Sequence, residues 1–547
     1  MLFPKVKKLD KIGDFSFPED ASGVQLKALS SLDEKAFSAV FGESLDNADI
    51  ILSCKKDGSL EELSVEAYTL RLSEEKGKLY CDISACSDKG FVRALFTLKR
   101  MCIKNEFTLG EITDWPSFDV RGYIEGFYGK PWKSSQRPEM LELMALFGEN
   151  THYYAPKDDP YHRDKWKELY PENEASLLKE LVDKANSLYV DFYYCIAPGL
   201  SMKYSSEEDF FCLKEKTKQL FSMGIRGFGL LLDDIPSDLF FPEDKEIFKN
   251  AARAHTALVK KYYEFLMSLS PDCRLTVCPT CYRGKGDENE LCEFAANIPE
   301  CVDVFFTGCD ICSKEITSRE AIYFKENTLH KPLYWDNYPV NDAEMFMEMH
   351  MGPLKGRDRD LYKHCAGLIS NTMSYFNCNK IPLITVAAYL WNSEEYEPET
   401  AFSEAVSFVL PEDEREDFIL LADHFRTSCL NDENSRIMGE RLSSALMCRH
   451  TGNDNEALRI LSAYTEEIKN AAERLKKRTS PVYTELSRWL KKFYLMSDIL
   501  ILALEVLKGK KKEEELSLLM EEYNESATVL TSFCFREYIE SVLGNEN

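Results

Sequence analysis

Between about residues 118 and 393 the chain alternates short apolar, β-rich runs with longer amphipathic stretches. The runs read VRGYIEGF, THYYAP, DFYYCIAP, GFGLLLDD, RLTVCPT, VDVFFTG, PLYWDN and AGLISN. Most are separated by segments of helical length and period, such as NEASLLKELVDKANSL and KEIFKNAARAHTALVKKYYEFLMSL. Near-continuous apolar runs this short suit strands buried on both faces, as in a parallel sheet with helical crossovers. Eight such units over about 275 residues predict a (β/α)8 barrel. The alternative is an open doubly wound sheet. No Gly-rich phosphate loop follows the first run, which weighs against the nucleotide-binding version of that alternative.

The flanks differ in character. Residues 1–113 mix strand-like runs (ADIILSCK, KLYCDISAC) with a helical one (SDKGFVRALFTLKRMCI) and predict a small α+β domain. The barrel is expected over 114–410 and a helical bundle over 411–547, where the 3.6-residue period is nearly unbroken. At 547 residues the chain exceeds one ordinary core, which fits this three-part reading. With 44% hydrophobic residues it reads as globular. The net charge of −26 argues against a nucleic-acid or anionic-membrane partner, because phosphates would be repelled. The start, MLFPKVKKLDKIGDF, lacks the apolar core of a signal peptide. Asp498 and Glu505 interrupt the most apolar late stretch, leaving it short of the roughly 20 residues that span a bilayer. The expected location is therefore cytoplasmic, with the 18 cysteines as reduced thiols. The C-terminal helices are where a second copy could pair as a homodimer.

In a (β/α)8 barrel, chemistry gathers at the C-terminal ends of the strands. The predicted strands end in Lys157-Asp158-Asp159, Asp233-Asp234, Cys281-Tyr282, Thr307-Gly308, Trp335-Asp336-Asn337 with Asn341-Asp342, and Ser370-Asn371. Carboxylates, amides and aromatic walls around one mouth suit a sugar, which offers hydroxyls to bond and C–H faces to stack on. The pair Asp233-Asp234 follows the apolar run GFGLLL, and burying two adjacent carboxylates is costly unless they work. Neighbouring carboxylates couple, so two identical side chains can divide the roles of acid and base. The competing reading is an Asp pair that caps the next helix.

RGYIEGFYGKPW, YYAPKDDPYHRDKW, APGL, LLLDDI and WDNYPVND together resemble glycoside hydrolase family 84, which contains β-N-acetylglucosaminidases of bacteria and protein O-GlcNAcases. The resemblance covers about residues 118–393, and the final helical region matches only in character. It implies a retaining exo-β-N-acetylglucosaminidase that needs no cofactor or metal and acts on a GlcNAc-bearing glycan or glycoprotein. Its mechanism would be substrate-assisted: the 2-acetamido oxygen attacks the anomeric carbon, and water opens the resulting oxazoline. Asp233 matches the residue that polarises the acetamido N–H, and Asp234 the general acid. Gly122 would offer its backbone to a sugar hydroxyl, and Lys157 would donate to one. Tyr282 and Asn337 would contact the reacting region, while Asp342 and Asn371 would hold outer hydroxyls. Trp335, Thr307 and Cys278 would wall the acetamido pocket. Lys157 could instead pair with Asp158 or Asp159, and Trp335 could be plain core. Tyr128 and Trp132 could stack on the aglycone or pack in the core.

The spacing Cys278-x-x-Cys281 with Cys309-x-x-Cys312 resembles two zinc half-sites. A zinc-dependent hydrolase is therefore an alternative, as is a non-catalytic GlcNAc-recognition barrel. The intact Asp pair speaks against the recognition protein. A reactive thiol beside the site is a further expectation.

Overall fold

All eight apolar runs form β-strands in the computed structural model, which describes residues 2–18, 23–26, 31–45, 48–425, 435–530 and 533–544. Six strands come first: β1 (Lys8–Phe15), β2 (Val24–Leu26), β3 (Ile50–Lys56), β4 (Tyr68–Glu75), β5 (Lys78–Ala85) and β6 (Phe107–Asp114). The eight are β7 (Val120–Glu125), β8 (Thr151–Tyr154), β9 (Asp191–Ile196), β10 (Gly227–Leu231), β11 (Arg274–Cys278), β12 (Asp303–Phe306), β13 (Pro332–Asp336) and β14 (Gly367–Asn371). They pair in sequence order into a closed barrel, all neighbours parallel, and β14 closes it against β7 with Gly367 opposite Val120. The open-sheet alternative is therefore wrong.

The barrel is filled, not hollow. Ile124, Tyr153, Tyr193, Leu231, Phe305, Leu333, Trp335 and Ile369 pack with Cys195 and Cys278 into one interior cluster. Outer faces are covered by helices whose apolar residues recur every three or four positions. The helix Glu172–Ser187, for example, buries Leu178, Leu181, Val182 and Ala185.

The chain divides into two compact units. The first holds residues 1–337, 354–372 and 383–401, and so contains the barrel and the N-terminal sheet. That sheet runs β1-β6-β4-β5-β3-β2 and is mixed, β3 parallel to β5 and β4 antiparallel to it. The helix Asp88–Lys104 carries its apolar face, capped by the Ser87 side chain at its start and by left-handed Asn105 at its end. Its Arg93 and the barrel's Arg121 share the buried carboxylate of Glu66, at 2.7 Å from Arg93 Nε and 3.0 Å from Arg121 Nη1. Burial alone would raise the Glu66 pKa, but the two guanidiniums outweigh it and hold the group well below the usual carboxylate range.

The second unit holds residues 338–353, 373–382 and 402–547. Its helices include Asp454–Leu475 and Ser487–Leu507, which pack along their apolar faces. The run containing Asp498 and Glu505 lies in the latter helix, with Met496, Ile499 and Leu500 buried. Among the described residues no helix is long and apolar enough to cross a membrane.

Candidate active site

The end of β10 is held firmly. Leu232 N–H donates to Cys278 O at 2.8 Å, and Leu232 O accepts from Thr280 Oγ1 at 2.8 Å. The chain then delivers Asp233 and Asp234, the latter at φ +51°, a left-handed conformation that Asp tolerates better than most residues. The two carboxylates have different neighbours. Asp233 Oδ2 lies 3.6 Å from Lys157 Nζ, and both side chains are largely buried, at 10% and 7% exposed. Burial would lower the Lys157 pKa, but Asp233, joined by Tyr128 and Asp234, more than offsets it and the group stays a cation. Asp234 is met by phenols: Tyr128 donates to Oδ2 at 2.8 Å and Tyr282 to Oδ1 at 3.3 Å. Burial raises the pKa of both phenols, with Asp234 adding to the effect, so they remain hydrogen-bond donors. An ammonium has only donors and favours the ionised carboxylate, whereas a phenol can donate to the carboxylate and either donate to or accept from the protonated acid.

A second group forms at the ends of β13 and β14. Asn337 Oδ1 accepts from Trp335 Nε1 at 3.0 Å and from Asn371 Nδ2 at 2.9 Å, while Asn337 Nδ2 donates to Ile311 O at 2.7 Å. That leaves one Asn337 N–H to donate elsewhere. Asn371 Oδ1 is buried without a hydrogen-bond partner among the described residues, an acceptor that costs energy unless something donates to it. Trp335 belongs to the same interior cluster as Cys278, and Tyr282 packs against that cluster, so both groups stand over one layer of the barrel.

Several predicted residues sit differently. Gly122 lies in mid-strand, three residues before the end of β7, and does not reach the rim. A β-carbon there would stand 1.7 Å from Thr151 O, so glycine serves the close approach of β7 to β8. The glycine at the rim is Gly126, where a β-carbon would meet Trp335 at 2.8 Å and Asn371 Oδ1 at 3.1 Å. Its place at the end of the run VRGYIEGF was the available signal. Thr307 spends its hydroxyl on Asp310 O at 2.7 Å, shaping the loop after β12. Asp336, beside two predicted ligands, is paired inside with Arg357 Nε at 2.8 Å. Lys157 pairs with Asp233 and not with its neighbours Asp158 and Asp159. Trp132 is buried against Tyr123 and Phe127, whereas Tyr128 is 44% exposed. Asp342 falls in the second unit, ahead of the short turn Ala343–Met345.

The cysteines do not assemble. Cys278 is inside the barrel, Cys281 faces Arg283 O, and Cys309 donates to Glu320 Oε1 at 2.8 Å. Among the described residues no group of three or more His, Cys, Asp or Glu is placed to hold a metal ion. Burial, reinforced by Glu288 for Cys281 and by the Glu320 hydrogen bond for Cys309, pushes both thiols up to about 11. Shifts in that direction keep both thiols in the protonated form near neutral pH, which works against thiolate reactivity there.

A filled parallel barrel with a carboxylate pair, phenols and amides at its C-terminal rim has the layout of a carbohydrate-cleaving barrel. The profile of a family described as beta-N-acetylglucosaminidase matches residues 121–423. The proteins named Protein O-GlcNAcase from Rattus norvegicus and Mus musculus are each 32% identical over 274 residues, 49% of this chain. The match spans only 29% of the length of those relatives. Among solved structures, a mutant of the Thermobaculum terrenum O-GlcNAc hydrolase superposes with a TM-score of 0.74 at 31% identity, over 78% of this chain and 95% of that one. CpGH84B superposes with a TM-score of 0.85 at 25% identity, over 99% of this chain and 100% of its own. The chain belongs to the β-N-acetylglucosaminidase family, glycoside hydrolase family 84. By that membership it is a glycosidase.

Proposed function

We propose that the protein is a retaining exo-β-N-acetylglucosaminidase that removes terminal β-linked GlcNAc by substrate-assisted catalysis. The observation that carries this reading is the unequal setting of the Asp pair, with an ammonium beside Asp233 and two phenols on Asp234. Asp233 accepts from the acetamido N–H and stabilises the positive charge that develops on that amide as its oxygen attacks the anomeric carbon. Asp234 gives its proton to the departing glycosidic oxygen, then takes one from the water that opens the oxazoline. Two inversions at the anomeric carbon retain its configuration. The remaining Asn337 N–H and the unpartnered Asn371 Oδ1 are suited to sugar hydroxyls or to the reacting acetamido group. The scheme draws on no cofactor or metal. We further propose that it works in the cytoplasm on GlcNAc-bearing glycans or glycoproteins, and that its C-terminal helices pair it as a homodimer. Asp342 is kept as a proposed hydroxyl ligand.

The test compares leaving groups. Asp234→Ala should lose little rate on an aryl GlcNAc with an excellent leaving group and far more on a poor one, whereas Asp233→Ala should be severe on both. A thiazoline mimic of the oxazoline should inhibit strongly. Equal losses for Asp234→Ala on all leaving groups, or no inhibition by the thiazoline, would refute the assignment.

A further inference from the structure

Arg163 has no role in the scheme above, yet it ends a hydrogen-bonded chain that reaches the acid. Its Nη1 donates to the Tyr128 hydroxyl at 3.1 Å, and that hydroxyl donates to Asp234 Oδ2 at 2.8 Å. The loop carrying Arg163 is anchored beside it: His162 Nδ1 lies 2.6 Å from Cys195 O, and Ala197 N–H donates to His162 O at 2.9 Å. The guanidinium therefore sits on backbone tied to the end of β9.

The chain has a direction. A guanidinium has donors and no acceptor, so the phenol proton of Tyr128 cannot point back at Arg163. With a phenol lone pair taken by the guanidinium, the hydroxyl proton turns to Asp234 Oδ2. The carbonyl oxygen of a protonated carboxyl is its better acceptor, so this obligate donor favours a protonated Asp234 with its proton on Oδ1. Oδ1 takes the longer bond, 3.3 Å, from the hydroxyl of Tyr282, which no guanidinium fixes as a donor among the described residues and which can turn to accept from the protonated acid. Without Arg163, the half-exposed Tyr128 can turn its proton to solvent and accept from Oδ2, which strands the acid's proton on the other oxygen.

We propose that Arg163 is a positioning residue that, acting through the Tyr128 hydroxyl, makes Oδ1 of Asp234 the oxygen that delivers the proton to the leaving group. The inference rests on the reading of Asp234 as the acid. Its test uses the full chain with Arg163→Met and Tyr128→Phe, alone and combined, on phenyl and 2,4-dinitrophenyl β-GlcNAc. Arg163→Met should lose roughly tenfold in kcat/KM on the phenyl substrate, which needs the proton, and twofold or less on the dinitrophenyl one, which does not. Added to Tyr128→Phe it should cost nothing further, because the two residues act in series. Arg163→Lys, which keeps a cationic donor, should restore most of the phenyl rate. Equal loss on both substrates, a fall in melting temperature without discrimination between them, or additive losses in the double variant would overturn the proposal. Asp234→Ala, measured alongside, separates the two ideas. If Asp234→Ala is insensitive to the leaving group, the acid assignment falls and this inference with it. If only Arg163→Met is insensitive, the inference falls alone.

Discussion

Gly126→Ala is expected to leave the barrel folded and remove most of its activity. A β-carbon at 126 would stand 2.8 Å from Trp335 Cζ2, 3.2 Å from Cη2 and 3.1 Å from Asn371 Oδ1. Carbon–carbon contacts settle near 3.5–4.0 Å, so the indole edge or the loop must give way by roughly 0.7–1.2 Å. The indole has little room to yield. It is packed edge-on against Phe305, with ring centroids 5.2 Å apart, and its Nε1 holds Asn337 Oδ1. Overpacking of this kind costs about 1–3 kcal/mol, which lowers the melting temperature by several degrees without unfolding the chain. The same displacement passes to Asn337 and Asn371, and about 1 Å of misplacement in a site is worth roughly 100-fold in rate. Gly122→Ala is the contrast. There the β-carbon would lie 1.7 Å from a backbone oxygen of β8, which cannot move aside without breaking the β7–β8 ladder, so insoluble or unfolded protein is expected. The readouts are kcat/KM on an aryl GlcNAc, thermal unfolding and circular dichroism. A folded Gly126→Ala within threefold of the parent rate would refute the reasoning about the site wall. A normally folded Gly122→Ala would refute the reasoning about the strand.

Two further outcomes concern buried charge and the thiols at the rim. Glu66→Ala leaves the Arg93 and Arg121 guanidiniums buried without their carboxylate and should cost about 3–5 kcal/mol in urea unfolding. Because the folded pKa of Glu66 is depressed, its stabilisation is present above the unfolded carboxyl value of about 4.3 and drains away as pH falls below it, so the parent should lose more stability on acidification than the variant. Equal stability of the two proteins at neutral pH would count against the network. Iodoacetamide should label Cys281 and Cys309 slowly at pH 7, at a rate rising about tenfold per pH unit toward their pKa of about 11, as peptide mass spectrometry can follow. Rapid labelling of either thiol at pH 7 would contradict the raised pKa and the nearby carboxylates Glu288 and Glu320.

The strands were legible because a parallel barrel buries both faces of every strand, so each appears as an unbroken apolar run that ends where the chain meets the rim. The Asp pair was legible for the same reason, since charge directly after GFGLLL is costly to bury. What one dimension hides is the stagger of the strand ends. Gly122 and Gly126 lie four residues apart in one motif, and only the register of β7 with β8 and β14 decides which of them reaches the mouth. It also hides which polar group is already spent. Asp336 and Asn337 look alike as rim ligands, but Arg357, 21 residues onward, takes the first and leaves the second. The Tyr128–Asp234 hydrogen bond joins residues 106 positions apart, and Arg163 enters through a third loop. A family motif can suggest the acid, but which of its oxygens faces an obligate donor is a property of side chains brought together by three strand ends. That is why the proposal for Oδ1 had to wait for coordinates while the proposal of Asp234 as the acid did not.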